Sequence, residues 1–184
     1  GLVALDWWNG SRTPLVNADL AAVLAGLTVG TSPVQIYRGI VEATAYGTRQ
    51  VIELFESGRG IEPVAELRVC GGLSRSPLVM QIYADVLNRP MFISRSAQTC
   101  ALGAAIAGAL AGGAYPAIEP AIEAMTGVKR KIYRPIPGHV AIYRELYGQY
   151  KVMHDAFGTP QVGHAPLALL MKKLLALKKK CAQA

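Results

Sequence analysis

Glu66-Leu67-Arg68-Val69-Cys70-Gly71-Gly72-Leu73-Ser74-Arg75-Ser76-Pro77 sets a short apolar run against a pair of glycines and a Ser-Pro step. The run predicts a buried strand over 66–70, the glycines a sharp exit, and Ser76-Pro77 the start of a helix reaching about Asn88. In open α/β sheets, ligands settle at the carboxyl ends of strands. Glycine lets backbone come close to a ligand with no Cβ between them. The following helix aims unpaired N–H groups and the positive end of its dipole at the same place. The other reading is a tight strand-to-helix turn with serine as its cap. The loop matches neither a Walker sequence nor GxGxxG, so its spacing alone leaves both readings open.

Outward from this loop, strand and helix signals alternate. Met91-Phe92-Ile93-Ser94 reads as another short strand, and Ala101–Ala109 as a helix of small residues. Upstream, Thr31-Ser32-Pro33 offers a cap and a proline at the first helical position. Ile36, Ile40, Thr44, Gly47, Val51, Leu54 and Phe55 then recur at helical spacing and predict one amphipathic helix over 33–57. Residues 2–8 read as a strand turning at Asn9-Gly10, with a short helix expected around Ala18–Ala25. Beyond Tyr133, Pro135, Pro137 and Gly138 suggest a linker, followed by a helix over His139–Phe157 and a final basic helix over Pro166–Lys180. This alternation predicts a layered α/β domain over 1–158, then a basic amphipathic segment over 159–184.

Composition narrows the functional classes. The chain has 184 residues, 52% of them hydrophobic and 17% charged, which suits a globular domain and excludes a disordered one. Of the net charge of +7, Lys172, Lys173, Lys178, Lys179 and Lys180 supply five, so the rest carries only +2. That is no nucleic-acid footprint. Cys70, Cys100 and Cys181 fit no metal or disulfide spacing and point to a reducing, cytoplasmic setting. No signal peptide or membrane-length apolar run is present. The chain opens on Gly1 directly into an apolar segment, as a piece of a longer protein or a processed chain would.

Other candidates carry two readings each. Ala101–Ala109 could form a flat ligand wall or simply pack on the sheet. His154-Asp155 resembles a base with its carboxylate, yet sequence neighbours on a helix point apart. Trp7 and Trp8 could stack on a sugar or anchor a packing contact. Asp6 has no evident partner nearby, which favours a structural role, and His139 and His164 read as surface residues. Leu167, Leu170, Leu174 and Leu177 with interleaved lysines could touch anionic lipid or dock on protein, and docking is the expectation.

The Arg12-Thr13-Pro14 loop, Gly26-Leu27-Thr28, the long helix, Gly71-Gly72-Leu73-Ser74-Arg75-Ser76, Gln81-Ile82-Tyr83-Ala84-Asp85 with Arg89-Pro90, and Ala101-Leu102-Gly103-Ala104-Ala105 follow one another in an order that resembles the C-terminal domain of FGGY carbohydrate kinases. Asp6-Trp7-Trp8-Asn9-Gly10, Tyr143-Arg144-Glu145-Leu146-Tyr147 and His154-Asp155 resemble the ribulokinase branch. The resemblance spans about residues 2–158 and implies an actin-like, ribonuclease-H-like α/β fold, incomplete at its N-terminal side. It implies ATP and Mg²⁺ as cofactors, the metal held mainly by residues outside this sequence. Adenosine contacts carry over to Gly71, Gly72, Ser74 and Ser76, with Leu102 and Gly103 lining the neighbouring wall; no catalytic or metal-binding residue carries over. The implied reaction is phosphorylation of L-ribulose or a related ketopentose in arabinose catabolism. One departure is Ala97 before Gln98, where that branch usually places an acid. The implied partners are ATP, the ketopentose and, for oligomerisation, a second copy of the chain; neither nucleic acid nor membrane is expected. The competing reading is a non-enzymatic nucleotide-binding or oligomerisation module.

Overall fold

The computed structural model describes residues 1–58, 60–159, 177 and 179–181. Its elements run β1 (Val3–Leu5), β2 (Val23–Ala25), α1 (Pro33–Glu56), β3 (Leu67–Val69), a 3₁₀ turn (Gly72–Arg75), α2 (Pro77–Leu87), β4 (Met91–Ser94), α3 (Thr99–Ala111), α4 (Ile118–Met125), β5 (Val128–Tyr133) and α5 (Pro137–Gly158). They form two compact units: Gly1–Val64 with Asp85–Asn88 and Pro135–Ala184, and Ala65–Ala84 with Arg89–Arg134. Nearly all of the segment expected as a basic helix, together with His164, lies outside the described residues; Leu177 and residues 179–181 are helical.

In the first unit β1 is fully buried and pairs antiparallel with β2, Val3 opposite Ala25. The helix expected at Ala18–Ala25 is therefore corrected to a loop and a strand. Val23-Leu24-Ala25 satisfies its backbone against β1, and a three-residue pairing overrides a short helical tendency.

α1 begins where expected. Ser32 and Gln35 form a reciprocal capping box, with Gln35 N–H 3.3 Å from the Ser32 hydroxyl and Ser32 N–H 2.8 Å from Gln35 Oε1. Its buried face differs from the one read from the pattern. Gly39, Glu42, Ala43, Ala45 and Tyr46 are buried, whereas Val51, Leu54 and Phe55 are exposed. Small residues on that face allow β1 to lie close: a Cβ on Gly47 would stand 2.9 Å from Asp6 Oδ2.

Polar and aromatic contacts tie α1 to α5. Tyr46 is completely buried among the rings of Tyr143, Tyr147 and Tyr150, at centroid distances of 6.3, 6.2 and 5.5 Å. Burial pushes its phenol well above the ordinary value. The Tyr143 hydroxyl donates to Glu42 Oε1 at 2.8 Å and accepts from Arg38 at 3.1 Å, while Arg38 also bonds Glu42 at 2.8 Å. One turn on, the Tyr147 hydroxyl donates to Glu53 at 2.7 Å beneath the Arg49 guanidinium. A buried carboxylate is tolerated only with such partners. The start of α5 is held by Asp85, which is buried, accepts from Ile136 N–H at 2.8 Å and bonds His139 Nδ1 at 2.8 Å. Pro137 and Gly138, expected in a linker, are the first residues of α5 itself.

Asp6 acquires partners that sequence spacing conceals. Burial raises its carboxyl above the usual range, against a hydrogen bond from Tyr150 and the nearby His154 imidazole. His154 is itself buried, with Trp7 edge-on at 5.3 Å and Nδ1 within 3.0 Å of Asp155 Oδ1. Sequence neighbours thus do meet here, and it is the His154 ring that packs against Trp7; Trp8 is exposed.

The second unit carries a three-stranded sheet in the order β3-β4-β5. β3 runs parallel to β4, Leu67 opposite Met91, and β5 closes antiparallel with Tyr133 opposite Met91. β3 is not the buried strand expected: Leu67 and Val69 are half-buried and Arg68 is exposed. Val79, Met80, Ile82, Ala84, Met91, Ile93 and Tyr133 are buried and form the unit's core. α4 and β5 were not foreseen. α3 packs mainly on α4, and Ile106 is its one buried residue.

The Asp6 environment generates a pH prediction. A carboxyl whose folded pKa is raised keeps its proton longer in the folded state than the unfolded value, 3.8, would allow. Its contribution is fully present below 3.8 and lost as pH rises through the higher folded value. Urea unfolding at stepped pH should show Asp6→Asn losing less stability than the parent between pH 4 and neutrality (about three pH steps). Parallel profiles would contradict the assignment.

Candidate functional site

The parallel pair β3 and β4 delivers two chain exits to one side of the second unit's sheet. From β3 the chain passes through Gly71, held at φ 90° and ψ −178°, into the 3₁₀ turn. A side chain at that φ is strained, so glycine is required on backbone grounds. The turn closes with Ser74 N–H and Ser74 hydroxyl both on Gly71 O, at 3.3 and 2.7 Å. From β4 the chain passes through Ser94-Arg95-Ser96 to the N-terminus of α3, where Gln98 provides no side-chain cap.

Between these exits lies a cavity of about 360 Å³, within the span of roughly 300–1,000 Å³ usual for small-molecule sites. Gly71, Gly72, Ser74 and Arg75 form one wall; Ser94, Ser96, Ala97, Gln98, Thr99 and Cys100 form the other; Lys129 enters from β5. A Cβ built on Gly71 or Gly72 meets nothing within 4 Å, so both glycines present bare backbone to open space. The wall mixes bare backbone and small side chains with hydroxyls, contains two cations and holds no carboxylate.

The sequence-derived residues divide in two groups. Gly71, Gly72 and Ser74 stand together on the wall. Ser76 stands off it and begins α2, its hydroxyl 3.4 Å from Val79 N–H. Leu102, half-buried, and Gly103, exposed, lie one turn beyond the cavity, which meets α3 at its first residues instead. Sequence reasoning missed Arg75, Ser94, Ser96, Gln98, Thr99 and Lys129. Two hydroxyls at the end of a strand parallel to β3 and just past it were a usable signal; Lys129 gave none, because it arrives on β5.

Mg²⁺ has no fitting donor set here. Among the described residues there is no group of three or more His, Cys, Asp and Glu side chains able to hold a metal ion. No helix among them is long and apolar enough to cross a membrane.

The model of the FGGY family of carbohydrate kinases, C-terminal domain, matches residues 1–112. The chain is 48% identical over 183 residues to a ribulokinase of Halalkalibacterium halodurans, and 50% identical over 163 residues to one of Bacillus licheniformis. It covers 97% and 86% of its own length in these matches, but only 31% and 29% of theirs. Among solved structures, a xylulose kinase from Lactobacillus acidophilus superposes with a TM-score of 0.76 at 21% identity, covering 86% of this chain and 32% of that one. One from Rhodospirillum rubrum gives 0.71 at 25%, covering 85% and 30%. The fold shared with these kinases is the actin-like, ribonuclease-H-like α/β fold, of which the chain forms part.

The two glycines should respond differently to the same change. Gly71→Ala should cost on the order of 1–3 kcal/mol of stability from its backbone angle, whereas Gly72→Ala, with open space around it, should unfold like the parent in urea. Equal losses in the two variants would contradict the local geometry.

Proposed function

The chain belongs to the FGGY family of carbohydrate kinases, and on that premise we propose that it forms the nucleotide-binding wall of an ATP-dependent sugar kinase acting on L-ribulose or a related ketopentose. The observation that carries this reading is the bare backbone of Gly71 and Gly72 facing a cavity at the carboxyl ends of two parallel strands. Such a cradle accepts a flat nucleoside and donates backbone hydrogen bonds to it. Ser74 adds a hydroxyl at the wall. Ser76 contributes indirectly, by starting α2 and so fixing the end of the loop, and Leu102 and Gly103 support the far wall from α3.

The chemistry expected of the whole enzyme is transfer of the ATP γ-phosphoryl group to a sugar hydroxyl. That step needs in-line positioning, neutralisation of the phosphate charge and a base near the accepting hydroxyl. The described residues offer the cavity walls but no carboxylate at the cavity to act as that base. We assign this chain nucleotide binding, and assign sugar binding, Mg²⁺ ligation and proton removal to the remainder of the family's polypeptide. The strong identity to ribulokinases favours L-ribulose among the ketopentoses. Residues 1–158 serve as the nucleotide-binding segment, and residues 159–184 as an accessory segment that docks on protein.

A chimera tests the reading. Residues 1–158 should replace the matching part of the Halalkalibacterium halodurans ribulokinase and leave ATP-dependent phosphorylation of L-ribulose measurable. Gly72→Val in the same chimera should raise KM for ATP by about tenfold or more, the scale of one lost close contact of roughly 1.4 kcal/mol, with KM for the sugar little changed. A folded chimera in which Gly72→Val leaves the ATP KM intact would overturn the assignment.

A further inference from the structure

Lys129 lies beyond the stretch that the family model matches, on the strand that closes the sheet. Its place is nevertheless fixed. Arg95 N–H donates to Gly127 O at 2.8 Å, and the Arg95 guanidinium donates to Thr126 O at 3.2 Å. Val128 then stands opposite Ser94. The entry of β5 is thereby tied to the exit of β4, and Lys129 is delivered to the cavity wall beside Ser94 and Ser96. Lys131, next on the same side of the strand, is engaged over the Tyr133 ring at 4.7 Å. Lys129 has no comparable engagement, and neither it nor Arg75 forms an ion pair among the described residues.

The cavity therefore holds two cations from opposite walls and no acid to neutralise them. An uncharged nucleoside would leave both without a counter-charge. An attached phosphate would supply it through charge-assisted hydrogen bonds, stronger than neutral ones. Arg75 offers a planar fork and Lys129 a point charge, the two complementary ways of meeting a phosphate.

We propose that Lys129, together with Arg75, reads the phosphate nearest the nucleoside, so that the cavity selects nucleotides over nucleosides. The inference rests on the nucleotide reading of the cavity and adds a specificity-determining residue to it from outside the matched region. Because both cations are exposed, exchanging them for methionine should leave the fold intact, which thermal unfolding checks.

Isothermal titration of the 184-residue chain with adenosine, AMP and ADP at low salt is the test. The parent should bind AMP and ADP about tenfold or more tightly than adenosine, the scale of one charge-assisted hydrogen bond. Lys129→Met should remove most of that ratio and leave adenosine affinity unchanged, and adding Arg75→Met should abolish it. An unchanged ratio in both variants, or an equal loss for adenosine and AMP, would overturn the proposal while leaving the nucleotide reading standing. If the folded parent binds none of the three, both fall together.

Discussion

The site depends on one backbone constraint: at the end of β3 the chain must turn through φ 90° at Gly71 before it can enter α2. No L side chain adopts that angle cheaply. Once it is adopted, Ser74 closes the turn onto Gly71 O through both its amide and its hydroxyl. Gly72 is then left facing outward with no atom in front of it. The cavity follows from this turn and from the parallel register of β3 with β4, which brings Ser94 and the first residues of α3 to the opposite side.

The two units use different physics. The first is held by aromatic rings and hydroxyl-to-carboxylate bonds between α1 and α5, with Tyr46 as the buried centre. The second has a conventional apolar core but leaves β3 only half-buried and most of α3 exposed. Exposure on this scale in elements of apolar and small residues accords with a chain that spans about three tenths of its ribulokinase relatives, 31% and 29% of their lengths.

Much of this was legible in the sequence, for physical reasons that differ by element. α1 announced itself through Ser32-Pro33 and a long period, because a capping box is a local signal. Gly71-Gly72 marked the loop because backbone angle is also local. The buried face of α1 was misread, since Glu42 becomes inward-facing only when Tyr143 and Arg38 satisfy it, and Tyr46 only when the tyrosine rings of α5 surround it. β2 and β5 were missed because three to six residues of Val23-Leu24-Ala25 or Val128–Tyr133 carry little pattern of their own and are strands only by pairing. Lys129 was invisible for that reason, and Asp6 seemed alone because its partners Tyr150 and His154 come from α5.

Hydrogen exchange tests the central claim most directly. Amide exchange of the full chain, followed by mass spectrometry with and without ADP, should slow at residues 71–76 and 94–100 and remain unaltered on α1 and α5. Protection centred on α1 and α5, or none at 71–76 while ADP is bound, would contradict the account.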